Sequence, residues 1–357
     1  MRKKNKRFTA LILAAAMLVS VFTSLLPETH AEAAGIATGI DVSRYQGPID
    51  WQAVKNAGVT FAFIRVGNTT SGVDPYFAQN MAGAAAVGIK TGVYIYSNAT
   101  NAAEAQAEAG MVLQLIAPYQ VSMPVVIDLE NDVHKMMTPT QNADVINNFC
   151  ALIEAAGYYP MVYSNKYFFT QRIAPVVYDK WVAQYSGSCD VPGAAVWQAS
   201  NTGSVAGVAG NVDIDYLFKD YSKLIVANGF AQRGNSIRFY ENYMLVRNRF
   251  VSWQDAVYYI DGNGCPLTGG KTLLGDAFYF FAPDGKMYTG MFKAEEGTYY
   301  YDVDGKQKTG IVQYEGNIYY FDENTGLMIT GPKEINGQVF MFDEKTGHRY
   351  RDHSERA

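Results

Sequence analysis

Cysteine is almost missing. The 357 residues contain three, Cys150, Cys189 and Cys265. They are too few and too scattered for a disulfide scaffold or a zinc site, and the odd number leaves at least one unpaired; all three read as structural. Histidine is as scarce, with four in the chain. His134, His348 and His353 make no HExxH or other ligand spacing, so neither a metal nor another cofactor is expected. Long apolar runs are rare too. The one that stands out, Phe8 to about Phe22, follows a basic head of Arg2, Lys3, Lys4, Lys6 and Arg7 and precedes the small-x-small triplet Ala31-Glu32-Ala33. This is the pattern of a secretory signal peptide over 1–33, cleaved after Ala33. A retained anchor is the weaker reading, because the run is short for a span of about 20 residues. Excess positive charge is also lacking: beyond residue 33, 24 Lys+Arg face 32 Asp+Glu. An acidic secreted chain is a poor partner for nucleic acid or, once the signal is cleaved, for a membrane surface.

What is present first is length, enough for a barrel-sized domain and something smaller. Residues 36–225 alternate strand and helix patterns. Strands are expected at 36–43, 59–66, 89–96, 123–130 and 158–164, with helices at 49–57, 75–87, 101–116 and 139–156 and a short one from about 166. Gly58 and Gly88 stop two of these helices, and Thr138 with Pro139 opens another. Three short runs, 181–185, 195–198 and 212–216, then follow with no room for full helices. Eight strands and about five helices give an α/β fold, with a parallel sheet closed as an irregular TIM-like barrel.

The chain is organised around Met123-Pro124-Val125-Val126-Ile127-Asp128-Leu129-Glu130. An apolar run reading as a strand buried on both faces ends in two carboxylates. Strand alternation sends Asp128 and Glu130 to one side, about 7 Å apart. Each raises the other's proton affinity, which is how a carboxylic acid stays protonated near neutral pH. The bland alternative is a strand end running into a solvated loop. Asp41 lies late in the first strand and Asp213 lies in the last, and the first and last strands of a closed barrel are neighbours. Four carboxylates are therefore expected at one mouth, at the C-terminal ends of the strands.

These residues carry a resemblance. Gly39-Ile40-Asp41-Val42-Ser43 with Gln46, Phe63-Ile64-Arg65, Gly92-Val93-Tyr94, Asp128-Leu129-Glu130, Val162-Tyr163-Ser164, Trp181-Val182-Ala183-Gln184-Tyr185, Val196-Trp197-Gln198 and Asn211-Val212-Asp213 follow the order seen in the family 25 glycoside hydrolases, the Chalaropsis-type lysozymes. The resemblance covers about 36–225. It implies an irregular barrel of eight strands and five helices. It also implies hydrolysis of the β-1,4 bond between N-acetylmuramic acid and N-acetylglucosamine in peptidoglycan. By motif, Glu130 would be the general acid, Asp128 would orient the substrate's own 2-acetamido group as nucleophile, and Asp41 and Asp213 would support the site. That is the substrate-assisted exception to the two-carboxylate scheme, with retention. One departure is Ile95, where many members have His after the Tyr of the third strand; it should point away from the mouth if Tyr94 points in.

Tyr94, Tyr163, Trp197 and, with less weight, Tyr185 are candidates for stacking on sugar rings; packing is the competing role. Trp51 and Trp181 read as core, Arg65 as a structural ion-pair partner and His134 as a loop residue. A chitinase-like glycosidase also places DxE at a strand end, but its longer signature has further Asp residues where Met123 and Val126 stand. A catalytically silent wall-binding adhesin is the other alternative, disfavoured because all four acids are present.

From 226 the composition turns to Tyr, Phe, Gly and Asp. Thr-Gly recurs at Thr268-Gly269, Thr289-Gly290, Thr309-Gly310 and Thr330-Gly331, at intervals of 21, 20 and 21 residues. Aromatic clusters keep the same period, and Phe239-Tyr240 reads as a degenerate first copy. Asp-Gly pairs after the clusters favour hairpins. Such units cannot bury a face alone, so an all-β solenoid of stacked hairpins is expected over 226–357. The copies resemble the cell-wall-binding repeats that include choline- and glucan-binding modules. Trp253 is the only Trp in this region, at its edge, which argues against a choline cage and for a neutral or acidic wall polymer or glycan. The sequence thus reads as a secreted, wall-associated peptidoglycan hydrolase.

Overall fold

Eight strands close a barrel: β1 (Ala37–Val42), β2 (Phe61–Asn68), β3 (Lys90–Tyr96), β4 (Val125–Asp128), β5 (Pro160–Asn165), β6 (Asp179–Ala183), β7 (Ala194–Gly203) and β8 (Val212–Leu217). The structure, a computed structural model, describes residues 35–350; the signal peptide read at 1–33 lies outside the described residues. Around the ring the order is β1, β8, β7, β6, β5, β4, β3, β2, and β1 then pairs with β2. A two-residue strand, Gly72–Val73, hairpins onto the end of β2. All four residues of β4 are buried, as its unbroken apolar run requires.

Seven of the eight strands keep the parallel sense expected from alternation with helices. The last does not: β8 runs antiparallel to both β7 and β1. Residues 204–211 are too few for a crossover, which takes a dozen residues or more, so the chain can only double back. The reversal brings the start of β8, where Asp213 lies, to the rim formed by the ends of the parallel strands.

Five α-helices occur among the described residues: α1 (Trp51–Asn56), α2 (Phe77–Ala86), α3 (Ala102–Ile116), α4 (Asp132–Met136) and α5 (Pro139–Ala156). Thr138 and Gln141 cap α5 reciprocally. Gln141 N donates to Thr138 Oγ1 at 3.2 Å, and Thr138 N donates to Gln141 Oε1 at 2.9 Å. The helix expected from about 166 is a single π-turn, Phe168–Arg172. The fifth helix is instead α4, five residues long and too short to show a periodicity.

The chain divides into two compact units. The first holds the barrel and runs to Leu115, then Val125–Cys150 and Pro160–Asp220; the second takes Ile116–Pro124, Ala151–Tyr159 and the chain from Tyr221. In the second unit, Gly229–Arg233, Ser236–Glu241 and Met244–Leu245 form a three-stranded sheet whose middle strand holds Phe239 and Tyr240. Five hairpins follow, starting at Arg249, Gly270, Gly290, Gly310 and Gly331. The Thr-Gly glycines sit at the hairpin starts with φ of +88° at Gly290, +75° at Gly310 and +78° at Gly331, a conformation side chains disfavour.

The Asp-Gly pairs are not the hairpin turns. Those turns are at positions such as Glu315-Gly316 and Asn336-Gly337, with φ of +48°, +76°, +52° and +80°. The Asp-Gly pairs instead turn the chain into a return segment. That segment bridges its own hairpin, as Tyr301 to Gln307. It also bonds to the preceding one: Met287 N donates to Val257 O at 2.7 Å, Gln307 N to Phe278 O at 2.8 Å and Met328 N to Thr298 O at 2.8 Å. Phe281, Tyr301, Phe321 and Phe342 are buried at matching positions, so consecutive copies share one aromatic core.

Candidate active site

Local structure fixes each acid at the rim. β1 ends in a capping box, in which Ser43 N donates to Gln46 Oε1 at 2.9 Å and Tyr45 N to Ser43 Oγ at 3.3 Å; this holds the chain that follows Asp41. Beyond β4 the backbone stays tied to β5. Leu129 N donates to Tyr163 O at 3.0 Å, and Ser164 Oγ donates to Leu129 O at 2.6 Å. Asn131 then caps α4 and donates its amide to Asn98 Oδ1 at 2.7 Å. Glu130 sits between these two anchors.

The rim encloses a cavity of about 590 Å³. Asp41, Asp128, Glu130 and Asp213 all line it, with Tyr94, Tyr163 and Tyr185. Trp181 also lines it and forms a hub: Phe63 stacks on it at 4.4 Å, and Tyr163 and Tyr94 meet it edge-on at 4.6 and 5.9 Å. Its Nε1 donates to Asp215 Oδ1 at 2.7 Å. Ile95 is fully buried and absent from the lining, as alternation with Tyr94 requires.

Trp197 is not in the lining. It is buried, donates Nε1 to Gln184 O at 2.7 Å and packs on Tyr216 and Phe218. Alternation along β7 turns its neighbour Gln198 inward instead. Gln198 joins several groups: Tyr163 Oη and Tyr185 Oη both donate to its Oε1, at 2.9 and 2.8 Å, and its Nε2 donates to Asp41 Oδ2 at 2.7 Å. Arg65 forms no ion pair among the described residues. Its guanidinium stands 5.4 Å from the Tyr96 ring centroid and lines the cavity. His134 is not a loop residue: it lies in α4, wholly buried, 3.0 Å from Ala99 O.

Burial and mutual repulsion govern the charges. Asp41 and Asp213 face each other in the β1–β8 register, where like charges are unfavourable. Burial raises Asp41 well above the usual carboxyl range, with Asp215 and Asp213 adding to it. Burial raises Asp213 as well, with its hydrogen bond to Asp41 opposing. Glu130 is raised by burial and then by the charge of Asp213, against Lys135 and Arg65. Asp128 is raised by burial and by Glu130, with Arg65 opposing, and its Oδ1 has no hydrogen-bond partner.

Asp215 was not among the sequence candidates. It is wholly buried, one pleat below Asp213, with Oδ2 unpartnered. Burial raises it most, the Trp181 bond opposes, and Asp213 adds a further rise. Carboxyls raised in the fold bind protons that the unfolded chain has released. Stability therefore falls as pH climbs from roughly 4 through the raised values. Asp215→Asn keeps an oxygen for the Trp181 N–H and removes the charge. Thermal unfolding should find the variant more stable by several degrees at pH 7–8, with the gap closing toward pH 4; equal melting temperatures at all pH values would refute the buried charge.

The sequence from 40 to 208 matches the profile of Glycosyl hydrolases family 25, and 293–332 matches that of a choline-binding repeat. YegX of Escherichia coli O157:H7 is 32% identical over 197 residues, covering 52% of this chain and 71% of YegX. Lysozyme M1 of Streptomyces globisporus is 30% identical over 201 residues, covering 51% and 68%. Among solved structures, the Cpl-1 endolysin in complex with a peptidoglycan analogue is 21% identical, with a TM-score of 0.44 and coverage of 89% of this chain and 96% of that one.

Proposed function

The chain belongs to the glycosyl hydrolases of family 25, and from that membership we propose that it is a secreted muramidase cutting the β-1,4 bond between N-acetylmuramic acid and N-acetylglucosamine. The observation that carries this reading is the convergence of Asp41, Asp128, Glu130 and Asp213 on one sugar-sized cavity. Glu130, with its proton affinity raised, is the general acid that protonates the leaving glycosidic oxygen. The acetamido carbonyl oxygen of the sugar attacks its own C1 as that bond breaks, giving an oxazolinium ion. Asp128 Oδ1, with no partner in the protein, accepts the acetamido N–H. That donor favours the charged form of Asp128 and leaves the shared proton on Glu130. Water, deprotonated by the Glu130 carboxylate, then opens the oxazolinium ion with net retention.

Asp213 acts at one remove: after burial, its charge is what raises the proton affinity of Glu130. Among the aromatic residues, Tyr185 is 54% exposed and offers a stacking face, as does the half-buried Tyr94. Tyr163, 7% exposed, serves through its hydroxyl on Gln198. The repeats of 226–357 anchor the barrel of 36–225 to the wall, raising its local concentration at an insoluble substrate.

The test is mass spectrometry of peptidoglycan digested with the purified protein. New reducing ends on N-acetylmuramic acid are expected. New ends on N-acetylglucosamine, or no new ends, would overturn the proposal.

A further inference from the structure

A second cavity, about 350 Å³, lies wholly within the repeats and plays no part in the chemistry above. It crosses three successive copies. Lys271 and Phe278 come from the hairpin that starts at Gly270, Lys306 to Thr309 from the return segment of the next, and Glu323 to Gly326 from the turn after the third.

Two observations decide what it can hold. Phe278 and Tyr299, from neighbouring copies, form an aromatic corner of the kind that takes a quaternary ammonium. It is already filled: Lys271 Nζ stands 4.4 Å from the Phe278 centroid and 4.9 Å from that of Tyr299. Single cation–ring contacts occur in later copies, with Lys333 Nζ 5.2 Å from the Tyr320 centroid and the Arg349 guanidinium 4.6 Å from that of Phe340. The second observation is the lining itself. Lys271, Lys306 and Lys308 outnumber Asp276 and Glu323. Lys308 is held only loosely, 3.9 Å from Asp302. Gln307 Oε1, also in the lining, is buried with no hydrogen-bond partner, an acceptor that calls for a donor such as a sugar hydroxyl.

We propose that this groove binds an anionic sugar or polyol polymer, with the lysines on its carboxylate or phosphate groups and Gln307 on a hydroxyl, and that Lys271 bars quaternary ammonium groups from the aromatic corner. The inference deepens the wall-anchoring reading above and rests on it. Charge-mediated binding of this type weakens with salt.

Calorimetric titration of the full chain with three probes tests it: choline chloride, poly(glycerol phosphate) and oligogalacturonate. Wild type should give saturable, salt-sensitive binding to at least one polyanion and none to choline. Preference between the two separates phosphate from carboxylate recognition. The double variant Lys306→Gln/Lys308→Gln should lose at least about tenfold in affinity while cutting soluble glycan fragments at the wild-type rate. Lys271→Met should bind the polyanion more weakly and gain choline binding, opposite changes that misfolding would not produce. Choline binding to wild type, no binding of either polyanion, or equal polyanion affinity in the double variant would each overturn the proposal. Binding is read without turnover, so an inactive barrel would leave this result standing. Failure of the protein to sediment with walls while binding a soluble polyanion would sink the anchoring reading alone.

Discussion

Glu130→Gln should lower turnover of peptidoglycan by about 10²–10⁴-fold, the usual worth of a positioned proton donor. The amide is nearly isosteric, so the fold and the Leu129 tether to β5 should persist, and melting temperature should not fall. The loss should shrink on an aryl glycoside with an acidic leaving group. Such a leaving group departs without a proton, so the variant forfeits little there. A structural role would predict equal losses on both substrates. Release of reducing ends from walls, compared with aryl release, separates the two; unchanged wall turnover would remove Glu130 from its role.

Asp128→Asn should lower kcat by about 10²–10³-fold with KM little changed, because the carboxylate meets positive charge that develops only as the oxazolinium ion forms. The substituted amide still fills the space beside Arg65, and with one buried negative charge gone stability at neutral pH should rise. Products trapped early should be β-anomers in wild type, by NMR of the fresh reducing end. An α-anomer would replace the acetamido nucleophile with a directly attacking water. A KM rise with kcat intact would make Asp128 a binding residue and nothing more.

Much of this site could be read from the sequence because it depends on strand ends. Asp41, Asp128 and Glu130 each follow an apolar run, and a closed ring makes neighbours of the first and last runs whichever way the last one points. Strand alternation does not carry the direction of β8; the eight residues at 204–211, too few for a crossover, do. Asp215 follows from a simpler rule. The alternation that pairs Asp128 with Glu130 also pairs Asp213 with Asp215. Trp197 reads as a stacking candidate although Gln198 is the residue that faces the cavity, because parity is invisible across an irregular strand. The register shifts between Lys180 and Trp181, so counting along β6 does not fix the inward face of β7. Arg65 was assigned an ion pair from its type and place alone; its observed position over Tyr96 depends on side-chain direction, which periodicity does not carry.

The return segments have a bearing on how such a protein can change over generations. From the hairpin at Gly270 onward, copies meet the one before them through the same backbone bond, as Gln307 to Phe278 repeats Met287 to Val257. Excising or duplicating one whole Thr-Gly period leaves every remaining junction as it was, whereas losing half a period strands a return segment with nothing behind it. Gene length in this region is therefore free to drift in steps of about one period and closed to drift in between, and the number of copies can change without altering a single residue of the barrel.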